Sequence, residues 1–185
     1  MIGLNNMRER VRDMVFIALC AVMIAVCAQI HIPVLPIPYS MQNFGVFIAI
    51  GILGGRRAFF AIAVYLALGA AGLPVFAGFS GGVGRLLGET GGFLLGFLAI
   101  ALVSWLITSL FKRGAASLLA SLVTGQLISY AIGAFWYWTL YVREGSGASF
   151  SGILSVCVLP FLIPDIIKIF VAVMLSDRAR KILKL

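Results

Sequence analysis

Gly72-Leu-Pro-Val-Phe-Ala-Gly-Phe-Ser-Gly-Gly-Val-Gly-Arg-Leu-Leu-Gly-Glu-Thr-Gly-Gly92 is the stretch that decides how this chain is read. It holds eight of the 21 glycines, at positions 72, 78, 81, 82, 84, 88, 91 and 92. It joins two long apolar runs, yet it carries Leu, Val, Phe and Ala where an ordinary loop carries polar residues. A connection that is both glycine-rich and apolar folds back against protein and brings bare backbone close to something. The expectation is a roof over a small-molecule site within a membrane bundle.

Composition leads to the same solvent. Of 185 residues, 62% are hydrophobic and 11% charged, with mean hydropathy +1.13. A water-soluble domain cannot bury that proportion, so lipid must solvate most of the surface. The formal net charge of +8 would point to nucleic acid in a soluble protein. Here the basic residues flank apolar runs and report membrane topology, with no nucleic-acid partner implied. Cys20, Cys27 and Cys157 all lie in apolar stretches and read as small buried hydrophobes, without metal or disulfide spacing.

A spanning helix needs about 20 apolar residues. Met14 to Ile30, Met41 to Gly54, Arg57 to Ala71, Gly91 to Phe111, Ala115 to Val142 and Pro160 to Leu175 are the candidate spans. The reading is an all-α integral membrane bundle of six transmembrane helices, one domain over 1–185, in the cell membrane. Val26-Cys-Ala28 resembles a signal cleavage site, but the further apolar runs make an uncleaved first span the more economical reading. The second and third spans are short and join at Gly54-Gly-Arg-Arg57 as a hairpin.

Charge fixes the orientation. With both termini cytoplasmic, the inner positions hold Arg8, Arg10, Arg12, Arg56, Arg57, Lys112, Arg113, Arg178, Arg180, Lys181 and Lys184, against Arg85 and Arg143 outside. The glycine-rich segment is then external, together with His31-Ile-Pro-Val-Leu-Pro-Ile-Pro-Tyr-Ser40. Pro33, Pro36 and Pro38 keep that second loop from being helical. A short outer helix from about Ser151 to Val158 is predicted next, then a last span starting near Pro160 or Pro164. This places Asp165 in an early turn, where the helix dipole favours a carboxylate.

Asp165 and Lys168 stand as an acid and a base inside that span. Ionisable residues at membrane depth cost roughly 2.5–3.5 kcal/mol each, so they pair or face a cavity. Three residues apart, they share a helix face. A salt bridge that merely neutralises both is one reading. A ligand pocket is the sharper one, since Leu at both positions would serve a structural protein.

Phe135-Trp-Tyr-Trp-Thr-Leu-Tyr141 reads as an interfacial aromatic belt from which Trp136 or Trp138 turns inward as a flat wall. Ala18, Ala21, Ala25 and Ala28 form a stripe on the first span that permits close helix approach, within this chain or by a separate subunit. Gln126, with Ser121, Thr124 and Ser129, reads as polar glue between helices. No Walker phosphate loop, no nucleophile elbow and no metal-ligand cluster is present, so neither enzyme chemistry nor a cofactor is expected.

Gly72 to Gly82, then Leu87-Gly-Glu-Thr-Gly-Gly-Phe93, with Leu159-Pro-Phe-Leu-Ile-Pro-Asp-Ile-Ile-Lys168, resembles the BioY family. Pro36-Ile-Pro-Tyr-Ser-Met-Gln42 and the turn at Gly51 to Gly55 extend the resemblance over nearly the whole chain. BioY proteins are substrate-capturing S components of energy-coupling factor (ECF) transporters for biotin. The resemblance implies an outward-facing biotin site roofed by the first and third loops, an ECF transmembrane coupling subunit meeting the first helix at Ala18, Ala21 and Ala25, and two ATPase subunits supplying energy.

It further implies that Asp165 accepts from a ureido N–H and that Ser80 bonds the same headgroup. Lys168 then meets the ureido oxygen or the tail carboxylate. Phe79, Gly81 and Gly82 of the roof and Gln42 complete the implied site. Ser80 stands where some relatives carry Asn, Glu89 where Pro is common and Phe93 where Tyr is common; Leu94 follows where some members carry Arg. Arg85 is therefore a candidate partner for the biotin carboxylate. An S component for another small vitamin and a non-catalytic structural subunit are the competing readings.

Overall fold

The computed structural model describes residues 2–33, 37, 39–111, 114–143 and 149–183, with side chains described for all of these except 2–6, 143 and 183. Pro36, Pro38, Lys112, Arg113 and Lys184, and the side chain of Arg143, therefore lie outside the description.

The chain is mostly helical. In order run α1 (Ile2–Gln29), β1 (His31–Ile32), β2 (Tyr39–Ser40), α2 (Gln42–Leu53), α3 (Gly55–Ala70), α4 (Val83–Leu87), α5 (Gly91–Leu110), α6 (Ala115–Arg143), α7 (Phe150–Cys157) and α8 (Leu159–Leu183). Four stretches are long and apolar enough to cross a membrane: Met7–Gln29, Gly91–Leu110, Ala115–Val142 and Leu159–Ile182. Leu19, Val22 and Val26 on α1, Leu102 and Leu106 on α5, and Phe170 and Met174 on α8 are exposed. Such an apolar exterior suits a lipid solvent. This is a multi-pass membrane protein.

The helix boundaries follow local chemistry. α1 begins twelve residues before the predicted span and carries the basic segment as helix, where Asp13 meets Arg57 of α3 at 2.9 Å. The α2–α3 hairpin turns at a single residue, Gly54 (φ 80°, ψ 160°), a left-handed conformation that a side chain would strain. Gly55 already belongs to α3. A Cβ there would come within 2.5 Å of Trp105 Cα on α5, so glycine lets the two backbones touch.

α5 and α6 make the most extensive pairing, and small residues explain it. Gly92 and Gly96 on α5 face Gly125, Ser129 and Gly133 on α6, each set spaced by four. A Cβ on Gly96 would lie 3.0 Å from Ser129 Cβ, and one on Gly125 would lie 2.9 Å from Ile100 Cα.

The alanine stripe of α1 divides. Ala21 and Ala28 are buried in this chain's own core, Ala25 is half-buried, and Ala18 is exposed. Ala21 is thus closed to any other subunit in this conformation.

The proline-punctuated loop is tied at its ends. His31 pairs with Ser40 and Ile32 with Tyr39 in a two-residue antiparallel ladder, which Met41 N–H extends to Ile30 O at 2.9 Å. α7 ends at Cys157, Val158 caps it and α8 starts at Leu159, so Pro160 falls in its first turn, as the sequence predicts. Pro164 stays inside the helix, where its missing N–H removes the bond to the Pro160 carbonyl. Asp165 is consequently in the second turn of α8. The macrodipole fades beyond the first turn, so its carboxylate must be held by other groups.

Candidate functional site

Four elements converge on Asp165 and Lys168, the only charged side chains that are buried among the described residues, at 2% and 5% exposure. Lys168 Nζ donates to Asp165 Oδ1 at 3.0 Å, to the Ser40 carbonyl at 2.8 Å and to Asn43 Oδ1 at 3.0 Å. An ammonium has three protons, and all three are used. The Tyr39 ring lies 4.2 Å from the same nitrogen, adding a cation–π contact. On the acid, Oδ2 accepts from Tyr130 Oη at 2.6 Å and from Gln126 Nε2 at 3.1 Å, both on α6. The pair therefore fastens α8 to the first loop, to α2 and to α6.

This network borders a cavity that, with its mouth, encloses about 760 Å³ of unfilled space. Asp165, Lys168, Ser80, Arg85 and Gln42 all line it. Apolar walls come from Phe76, Phe93, Phe97 and Phe161. The arrangement offers buried acceptors and a fixed ammonium at one end and aromatic surface around them. It suits a flat, partly apolar molecule that carries N–H donors.

The glycine-rich roof is built around a bridge between Phe76 and Ser80, with Phe76 N–H donating to Ser80 O at 2.9 Å. Ser80 Oγ donates to Ala77 O at 2.8 Å, which leaves its lone pairs free toward the cavity it lines. Gln29, at the C-terminal end of α1, fastens the roof. Its Nε2 donates to Val75 O and Phe76 O, each at 3.3 Å, and its Oε1 accepts from Phe79 N–H at 2.9 Å. Gln42 Nε2 donates to Tyr65 Oη at 2.7 Å, and that hydroxyl donates to Val75 O at 3.2 Å, a second fastening from below.

Other predicted site residues lie outside the lining. Phe79 is 71% exposed and holds a left-handed φ of 52°, the only non-glycine with positive φ among the described residues. Gly81 packs on the backbone of Leu73, where a Cβ would lie 2.9 Å from its carbonyl carbon. Gly82 (φ 91°) precedes α4 and passes its N–H to Gly69 O at 2.7 Å. Trp136 Nε1 donates to Gly88 O at 3.0 Å, holding the end of the roof rather than walling the cavity. Trp138 packs edge-on against Phe150 of α7, with centroids 6.0 Å apart. The belt therefore pins the end of the glycine-rich segment and α7, and phenylalanines from elsewhere supply the cavity wall.

Sequence reasoning passed over Asn43, Tyr130 and the cavity role of Gln126. Gln126 and Tyr130 are four apart and so share a face of α6, the one signal that could have joined them to Asp165.

A family model described as the BioY family matches residues 4–185. The chain is 40% identical over 176 residues to the biotin transporter BioY of Thermotoga maritima, covering 95% of this chain and 98% of that protein. It is 33% identical over 176 residues to the biotin transporter BioY of Rhizobium etli, covering 89% and 91%. Among solved structures, it resembles the S-component for biotin from an ECF-type ABC transporter with a TM-score of 0.81. The identity there is 25%, over 94% of this chain and 93% of that one.

Proposed function

This chain belongs to the BioY family, and from that premise we propose that it is the biotin-binding S component of an ECF-type uptake transporter, a transport protein and not an enzyme. It forms one membrane-embedded domain of six spanning helices, α1, α2, α3, α5, α6 and α8, in the cell membrane with both termini in the cytoplasm. External biotin enters beneath the roof, and partner subunits, a transmembrane coupling protein and two ATPases, supply the energy for import.

The single observation that carries the reading is the buried Asp165–Lys168 pair opening onto an aromatic-walled cavity. Biotin matches it group by group. Its ureido ring has two N–H donors and a carbonyl, its thiophane ring is apolar, and its tail ends in a carboxylate. A carboxylate offers about four acceptor positions, and Asp165 spends three on Lys168, Gln126 and Tyr130. The remaining position takes a ureido N–H, with Ser80 Oγ beside the same headgroup. Lys168 reaches the ligand only by giving up Ser40 or Asn43, so its first duty is to hold Asp165 in place. Arg85, exposed at the cavity margin, meets the tail carboxylate. Ala18 and the half-buried Ala25 remain for subunit docking.

The test is binding of radiolabelled biotin to the detergent-solubilised protein, with Asp165→Asn beside the wild type. Submicromolar binding by the wild type and a large loss in the variant are expected. A folded wild type that does not bind biotin refutes the assignment.

A further inference from the structure

Lys168 cannot read a ligand without losing a bond, because its three protons go to Asp165 Oδ1, Ser40 O and Asn43 Oδ1. A cyclic urea that places an N–H on Asp165 therefore still needs a donor for its carbonyl oxygen. Asn43, in the first turn of α2, holds one. Its Oδ1 accepts from Lys168 Nζ and from Phe44 N–H, each at 3.0 Å. Both partners only donate, so the amide cannot be turned the other way round, and Nδ2 with its two protons is the unspent end. Nδ2 meets no acceptor among the described residues, and it is not sealed in as Gln126 Oε1 and the hydroxyls of Ser104, Ser117 and Ser176 are. Its direction is set as well. Asn43 borders the cavity, whereas the apolar groove on the other side of Lys168 is lined by its neighbours Met41 and Phe44.

The spacing suits a urea. Oδ2 of Asp165 already has two donors, Gln126 and Tyr130, so the open acceptor position is on Oδ1. That oxygen and Asn43 Oδ1 are each 3.0 Å from Lys168 Nζ, so an acceptor and a donor group stand side by side around one ammonium. In a cyclic urea an N–H and the carbonyl oxygen likewise stand side by side, on one edge of the ring. We propose that Asn43 is a specificity-determining residue that donates from Nδ2 to the ureido oxygen, while Asp165 takes the adjacent N–H and Lys168 holds the two readers together. This rests on the biotin reading and moves the carbonyl contact from Lys168 to Asn43. The site then selects a ring whose carbonyl is a strong acceptor, since a weak one leaves a donor poorly paired.

The experiment is a cycle between protein and ligand. Biotin and thiobiotin, which has C=S in place of the ureido C=O, are titrated against wild type and Asn43→Asp. The replacement keeps an oxygen for Lys168 and Phe44, and the first turn of a helix favours its charge, so the fold is expected to stand. Only the donor facing the ring is lost. Wild type is expected to bind thiobiotin roughly three- to tenfold more weakly than biotin. Asn43→Asp is expected to bind biotin at least about tenfold more weakly than wild type, with the thiobiotin penalty reduced to within about twofold. A folded variant that keeps either the wild-type affinity or the wild-type penalty overturns the proposal. A second measurement needs no variant. Asparagine occurs only at positions 5, 6 and 43, and the first two lie about 35 Å along α1 from the roof that Gln29 holds. With magnetic isotope labels on the asparagine amide nitrogens and on the ureido carbon, solid-state dipolar recoupling is expected to report a separation of about 4 Å, one hydrogen bond plus one C=O bond. Absence of that coupling in biotin-saturated protein also overturns the proposal. A wild type that does not bind biotin refutes the transport reading instead, so the two failures are distinguishable.

Discussion

Replacing Asp165 with Leu and Lys168 with Met together separates two roles that either single replacement confounds. The two side chains meet at 3.0 Å with almost no exposure. Asp165→Leu alone strands an ammonium in the bundle, and Lys168→Met alone strands a carboxylate. Losing one member of such a buried pair costs about 3–5 kcal/mol. For 185 residues this is a fall of roughly 10 °C in melting temperature. The double replacement strands no charge. Its orphaned neighbours, Gln126, Tyr130 and Asn43, all border the cavity, where water can serve them. Stability is therefore expected to return to within about 1 kcal/mol of wild type. Biotin affinity is not expected to return. A ligand N–H on a carboxylate is worth about 1.5–3 kcal/mol, so the loss is roughly ten- to a hundredfold. Scanning fluorimetry and radiolabelled biotin binding on the same detergent preparations measure both quantities. A stable double variant that binds within about threefold of wild type would reduce the pair to mutual neutralisation. A double variant as unstable as the singles would refute the electrostatic account of how α8 is held.

Two smaller perturbations test the margin and the helix packing. Arg85 is exposed, so Arg85→Ala is expected to weaken biotin only about threefold, to spare biotin methyl ester, and to matter less as salt rises. Equal losses for acid and ester remove Arg85 as the carboxylate partner. Gly96→Ala places a methyl against Ser129 and is expected to cost about 1–3 kcal/mol, measured as a lower melting temperature, with Ser129→Gly recovering part of it.

Much of the fold is legible because spanning helices are long and their solvent is uniform. Predicted and observed ends of the fifth and sixth helices agree within a residue, since Gly91 and Ala115 open unbroken apolar runs. α1 runs further because its charged segment is itself good helix, which apolar length cannot reveal. The interior was harder to read. Lipid and core are equally apolar, so the sequence does not tell which face of a helix is inward. Ala21 and Ala18 look alike as letters, yet one is buried and the other exposed. Gln126 reads as helix glue until its partner, 39 residues away, is known to be Asp165. Trp136 fails as a wall for the same reason, because its Nε1 answers a carbonyl in the roof. The charged pair itself was legible, being too costly in lipid to lack a purpose.

α2 has 12 residues, about 18 Å of helix at 1.5 Å per residue, against a hydrocarbon core near 30 Å. Its N-terminal end carries Gln42 and Asn43, and Phe76, Ala77 and Ser80 of the glycine-rich segment close over the depth it leaves vacant. The chamber is thus a missing length of helix. Adding one turn ahead of Gln42 would plug it from within, and a vitamin lodged there replaces protein, not water, as the filling of the slab.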